Sequence, residues 1–173
     1  MTTSSIGYAS TTDTTELTIT LASLGASSTM VAGRESTVVD NTTTKYIDYL
    51  VRGRITTGTT PVGGTIAIYV YAPLKIASGT STYPIATTTA LTGADAAATF
   101  EAEQRNQLKF AAAISPNSTD NRAYSFVFNI ASLFGGVCPE KWGLWVTNGT
   151  SAALNSTAGN HWIHCNGINY TSA

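Results

Sequence analysis

The stretch Lys45-Tyr-Ile-Asp-Tyr-Leu-Val-Arg-Gly-Arg-Ile-Thr56 decides the fold class. Its odd positions Ile47, Tyr49, Val51 and Ile55 are apolar, while its even positions include Asp48, Arg52 and Arg54. Successive side chains of a strand point to opposite faces, so this alternation turns one face inward and the other outward.

The same period runs outward from this stretch in both directions. Upstream, Glu16-Leu-Thr-Ile-Thr-Leu21 alternates polar and apolar, and a second run covers Ser36 to Val39 before the turn residues Asp40 and Asn41. Downstream, the Gly- and Pro-containing connection Gly58 to Gly64 reads as a hairpin-type link. It leads into Thr65 to Ala72, where Ile66, Ile68 and Val70 share one face and Tyr69 and Tyr71 the other. A strand apolar on both faces is central in a sandwich or covered by a neighbour. Residues 75 to 106 show little period, although Ala, Glu and Gln favour a short helix over Ala94 to Arg105.

Strand patterns resume with Leu108, Phe110, Ala112 and Ile114 aligned, then Tyr124, Phe126, Phe128 and Ile130, then Trp142, Leu144 and Val146. Pro116 to Asn121 is a turn by composition, and Leu133-Phe-Gly-Gly136 is an apolar turn expected to tuck under the core. After a polar loop from Asn148 to Gly159, His161 to Tyr170 forms the last strand. The predicted fold is all-β: a jelly-roll-like antiparallel β-sandwich of about eight strands over residues 15–173. Residues 1–14, rich in Thr and Ser and without periodicity, read as an extended N-terminal arm. The predicted core is Ile47, Tyr49, Val51, Ile66, Ile68, Val70, Phe110, Phe126, Phe128, Trp142 and Leu144. On that placement, truncating Phe128 to Ala costs about 3–5 kcal/mol.

Composition narrows the function. At 173 residues the chain fits one domain. With 43% hydrophobic residues it can fill a core, yet only 11% are charged, against a usual share of about 25%. The surface is therefore dressed in Thr, Ser, Asn and Gly, as in proteins that end in contact with copies of themselves or with a scaffold. The net charge of −1 and the scattered basic residues give no electrostatic footprint for nucleic acid. No apolar run approaches a membrane span, and the first residues lack the basic and apolar pattern of a signal peptide, so synthesis and release in a host cytoplasm are expected. Cys138 and Cys165 are then expected to remain two free, buried thiols. The five Asn-x-Ser/Thr triplets, beginning at Asn41, Asn117, Asn148, Asn155 and Asn169, are expected by chance in so Thr-rich a chain.

Chemistry-bearing constellations are weak. His161-x-x-His164-Cys165 is the best metal candidate, but residues three apart on a strand point to opposite sides. Glu101 and Glu103 could be paired carboxylates for glycoside hydrolysis, but they fall in the least patterned stretch and read as solvated charges. No catalytic, cofactor-binding or metal-ligating residue is assigned, no cofactor is expected, and an enzyme is not. Tyr69, Tyr71, Trp142, Trp145 and Trp162 could build a sugar-stacking platform, although alternate aromatics on strands more often serve core and subunit contacts.

Five segments carry a resemblance: Ala32-Gly-Arg-Glu-Ser-Thr37, Tyr46-Ile-Asp-Tyr-Leu50, Ala131-Ser-Leu-Phe-Gly-Gly136, Lys141-Trp-Gly-Leu-Trp145 and Ala158-Gly-Asn-His161. Across roughly residues 16 to 168 the chain resembles small virion proteins of tailed bacteriophages, and among them capsid decoration (cement) proteins. The resemblance implies a β-sandwich on the outer surface of a capsid, bridging neighbouring subunits of the major capsid protein. No list of functional residues transfers with it. Self-association as a dimer or trimer fits the charge-poor surface. The alternative, from a different class, is a receptor- or glycan-binding module of a tail fibre or other appendage.

Overall fold

In chain order the strands are β1 (Ser4–Tyr8), β2 (Thr15–Glu16), β3 (Ala32–Glu35), β4 (Val39–Asp40), β5 (Asp48–Thr56), β6 (Ile66–Tyr71), β7 (Lys75–Ala77) and β8 (Thr80–Thr82). There follow β9 (Ile85–Ala86), β10 (Thr89–Ala90), β11 (Ala96–Thr99), β12 (Lys109–Ile114), β13 (Ala123–Asn129), β14 (Lys141–Asn148) and β15 (Trp162–Ser172). A single helical turn, α1 (Ile130–Leu133), follows β13. They belong to a computed structural model that describes residues 4–9, 15–77, 80–87 and 89–172.

The first sheet has the order β1-β15-β5-β13, with β2 also on β15. The second has the order β11-β3-β14-β6-β12, with β4 also on β14. Every pairing in both is antiparallel. β1 and β2 follow one another along the same edge of β15, and β3 and β4 along the same edge of β14. Counting each of these as one strand, and leaving out the short β7 to β11, gives eight principal strands among the described residues. Numbered along the chain, the first sheet reads 1-8-3-6 and the second 2-7-4-5. β5 thus lies in the first sheet with one face turned to the second, and the alternation seen in Lys45–Thr56 is the direct consequence.

The interior between the sheets holds Tyr49, Val51 and Ile55 from β5, Ile66, Ile68 and Val70 from β6, Phe126, Trp142, Leu144, Val146, Ile163 and Cys165. Gly53 lets this layer close, because a Cβ there would collide with the Phe126 ring across the strand pair. A second apolar cluster lies on the far side of the second sheet: Tyr71, Trp145, Phe100, Leu108, Leu91, Tyr83 and Ala86. Tyr83, Ala86, Leu91, Phe100 and Leu108 pack over that face, which explains why β6 is apolar on both of its faces.

Several expectations need correction. Phe110 is 56% exposed, outside the predicted core. A bulge between Phe110 and Ala112 shifts the pairing of β12 with β6. An extra residue in one strand reverses which face the side chains meet. Leu108 therefore joins the outer cluster and Ile114 the interior, while Phe110 lies edge-on to Tyr69 at 5.6 Å on the outer face. Phe110→Ser should change stability by less than about 1 kcal/mol, the range of exposed substitutions, as urea unfolding would show. Ile47 and Phe128 are half-buried rather than core. Phe128 stacks on Phe126 at 6.0 Å, so its truncation should cost less than a fully buried Phe would. No helix forms over 94–105: Ala96–Thr99 is strand β11, and a short 3-10 turn spans Gln104–Gln107. Of Ser36–Val39, only Val39 lies in a strand, since β3 ends at Glu35.

The alternation of residues 16–21 is real, but only Thr15–Glu16 pairs as a strand. Leu17 and Leu21 are buried and Ile19 packs on the core, while Thr18 and Thr20 are exposed. The Leu17 N–H donates to the Ile163 carbonyl of the first sheet, and the Thr37 N–H of the second sheet donates to the Thr18 carbonyl. This segment therefore closes the open side of the sandwich by crossing from one sheet to the other. Within the predicted arm, Ser4–Tyr8 is strand β1; residues 1–3 and 10–14 lie outside the described residues.

Candidate functional site

The five aromatics that could have formed one platform occupy three places. Trp142 is fully buried between the sheets, edge-on to Tyr49 at 5.3 Å. Trp145 packs with Phe100 at 5.0 Å and Tyr69 at 5.6 Å in the outer cluster, where Tyr71 also lies fully buried. Trp162 alone faces outward from the first sheet, with the Arg54 guanidinium 5.9 Å from its ring centre and His164 at 5.3 Å.

The His-x-x-His-Cys candidate is divided by the strand pleat. Cys165 points into the core and His164 to the outer face. His161 is buried at the start of β15, where its Nδ1 accepts from the Thr56 N–H and its Nε2 lies 2.9 Å from the Asn155 carbonyl oxygen. That pattern fits the neutral Nε2–H tautomer, and burial holds its pKa below the usual histidine value. Among the described residues no three His, Cys, Asp or Glu side chains gather as a metal-binding group. Glu101 and Glu103 are exposed. Both cysteines are free, and burial pushes each thiol up to about 12.

Clefts of about 280 and 300 Å³ open on either side of Leu17, the first lined by Glu16, Asp40, Tyr46 and Tyr49 and the second by Glu16, Ile19, His161 and Trp162. Their ionisable groups are largely engaged. Asp40 pairs with Lys141 at 3.0 Å and accepts from Thr42; these hydrogen bonds hold it down to about 2.

The segment Ala32–Thr37 has structural work. In Ala32–Thr37, Arg34 forms an ion pair with Asp95, and Glu35 is buried among donors from Thr92, Gly93 and Tyr71. Burial raises the Asp95 carboxyl, but its bonds to Arg34 and Thr20 outweigh that and leave it lowered. Asn41 and Asn148, two of the chance glycosylation triplets, are buried hubs. Asn41 Oδ1 accepts from Tyr46 N–H at 2.8 Å and from Tyr49 O–H at 3.1 Å, and Asn148 Nδ2 donates to the Ala152 carbonyl at 2.8 Å.

What remains for recognition is surface, and two features of it stand out physically. The first is the outer face of the first sheet, which nothing in the described chain covers as residues 83–108 cover the second. The second is a pair of sheet edges that are uncharged over β1 and β11. β12 packs against β13 at one side of the sandwich, which leaves β1 with β2 and β11 as the edges of the other side. β1 reads Ser-Ser-Ile-Gly-Tyr and β11 reads Ala-Ala-Ala-Thr. Neither has the Lys, Pro or bulge that normally blunts an edge strand. Ile6 is 62% exposed on β1, beside the similarly exposed Tyr170 of β15. Sequence reading missed both features, although the uncharged composition of residues 4–8 and 96–99 was a usable signal. No family model matches the chain, and the search of curated proteins finds no match.

Proposed function

We propose that this protein is a structural component of a bacteriophage virion that decorates the outside of a capsid and stabilises it by bridging subunits of the major capsid protein. The observation that carries the reading is the uncharged edge made by β1, which offers a row of backbone donors and acceptors to a neighbouring chain. The charge-poor surface and the resemblance of Ala32–Thr37 and Lys141–Trp145 to phage decoration proteins support it. The strand order 1-8-3-6 and 2-7-4-5 also supports a jelly roll, two Greek keys folded into paired sheets. Repetition on a lattice would convert weak single contacts into firm clamping. The appendage alternative drew on one aromatic platform, and its five residues are dispersed.

Deleting residues 1–14 should leave the sandwich folded, because none of residues 4–9 belongs to either apolar cluster. The same deletion should abolish protection of particles against heat or osmotic shock. Particles stripped of the protein that resist as well as complete ones, or a location only at the tail tip, would replace this reading with the appendage one.

A further inference from the structure

We infer that the outer face of the first sheet, over which no described strand or loop packs, is a self-association surface whose occupant is the same face of a second copy, related by a two-fold axis through Leu50. This goes beyond the decoration reading: it deepens the self-association expected from the charge-poor sequence and does not depend on the capsid.

The pairing registers fix the layout of the face. Trp162 stands beside Arg54, and the next row along the strands is Glu16, His164, Arg52 and Val127. Asn166, Leu50 and Asn129 form the central row, in which Asn166 is itself buried and Leu50 and Asn129 are half-buried. Beyond it come Tyr8, Ile168 and Asp48, and then Ile6 with Tyr170. Four of the ten large apolar side chains exposed among the described residues, Ile6, Tyr8, Val127 and Tyr170, lie here. Ile6, Tyr8 and Tyr170 are neighbours at one corner of the face, an exposed apolar group of the kind that marks a contact surface, and Val127 lies at the opposite edge.

One pair of charges on the face, Arg52 and Asp48, points to the occupant. Arg52 and Asp48 lie two residues either side of Leu50 on the same strand, pointing the same way. A two-fold axis in the plane of the face, perpendicular to the strands, keeps each strand over its own copy and reverses its direction. Leu50 then meets Leu50, each Arg52 meets the partner's Asp48, and the Trp162 end meets the Tyr170 end. Such self-complementarity is what an isologous contact requires. Face-to-face sheets with nearly aligned strands pack in this way about 10 Å apart. Arg52 is exposed, and neither of the ion pairs among the described residues, Arg34–Asp95 and Lys141–Asp40, uses it. Asp48 is held in place by the Ala131 N–H at 2.7 Å and Asn129 Nδ2 at 2.8 Å, so its charge is fixed on the face.

The test is sedimentation equilibrium of the purified full chain, in the absence of capsids. Wild type should be a dimer, and Arg52→Glu should weaken it at least about a hundredfold, because the symmetry sets two Glu–Asp repulsions in place of two attractions. Circular dichroism should show the Arg52→Glu sheet content unchanged. Leu50→Cys should be joined to its copy by a short bis-maleimide, whereas Val137→Cys should not. Cys138 and Cys165, whose thiols burial keeps protonated, should contribute little background. A monomeric wild type, a trimer, or a dimer indifferent to Arg52→Glu overturns the inference. Protection of this face only on assembled particles assigns it to the shell and also overturns it, while leaving the decoration reading standing. Dimers in solution without any effect on particle stability do the reverse.

Discussion

Trp142→Ala should destabilise the protein by about 3–5 kcal/mol, as read from chemical unfolding. Trp142 has no exposed surface, sits edge-on to Tyr49 and lies on β14, the strand paired with β3, β4 and β6. Its removal leaves a cavity at the centre of the second sheet that the strands on both sides cannot close without breaking their ladders. Trp162→Ala deletes the same number of atoms from the first sheet's outer face, where the ring is half-buried and touches Arg54 and His164. That change should cost about 1 kcal/mol, the worth of an exposed cation–π contact with some lost packing. The contrast separates inward from outward positions on strands that the sequence alone reads alike. Equal losses for the two tryptophans would mean that the first sheet's outer face is covered, and the self-association surface with it would fall.

Much of the sandwich was legible because strand period two survives wherever one face is buried. Tyr49, Val51, Ile66, Ile68, Val70, Phe126, Trp142 and Leu144 all lie in the inter-sheet core as their alternation requires. The pattern misled at Phe110 because a bulge adds a residue without leaving a mark in composition: Leu108, Phe110, Ala112 and Ile114 keep their spacing while the partner strand slips. It misled over Ala94 to Arg105 because local helix preference is small, and pairing of Ala96–Thr99 with β3 outweighs it. Leu17 and Leu21 show the opposite case, an alternation produced by burial on both sides of a crossing segment with little strand pairing. For the recognition surface the limit is different. Which aromatics are covered depends on distant parts of the chain, since Tyr69, Tyr71 and Trp145 look as exposed in sequence as Trp162 until Tyr83, Leu91, Phe100 and Leu108 pack with them. The charges of Asp48 and Arg52 either side of Leu50 are legible in the sequence, but alternation alone assigns them only to an outward face and names no partner.

Glu35→Ala should cost about 3–5 kcal/mol and should act on one region. Glu35 is 2% exposed on the outer face of β3, opposite Trp145. Its two oxygens accept from the Thr92 N–H at 3.0 and 3.1 Å, the Thr92 hydroxyl at 2.8 Å, the Gly93 N–H at 3.0 Å and the Tyr71 O–H at 3.2 Å. Burial, with the neighbouring carboxylate next, raises the Tyr71 phenol well above its ordinary value, so it stays a donor. Removing the acceptor unpairs the part-buried Thr92 and Gly93 donors at about 1–3 kcal/mol each, less than additive because the turn can relax, while the Tyr71 hydroxyl keeps the Ser36 carbonyl at 3.1 Å. The relaxation is the second part of the expected result. Gly93 holds a positive φ of 75°, and a Cβ there would press on Val38 and Tyr83, so the turn has few other conformations that keep the cover closed. Without Glu35 the turn should lift, accelerating amide exchange at Thr92 and Gly93 and loosening the cover over Phe100, Tyr71 and Trp145. Exposed, these rings would form a sticky patch on the second sheet, and the variant should aggregate at concentrations where wild type does not. Glu35→Gln keeps one acceptor oxygen but turns an NH2 toward donors, so its loss should be smaller and its exchange rates intermediate. A loss below about 1 kcal/mol with wild-type exchange at residues 92 and 93 would show that the cover is held by its apolar contacts alone and that the Glu35 clamp is incidental.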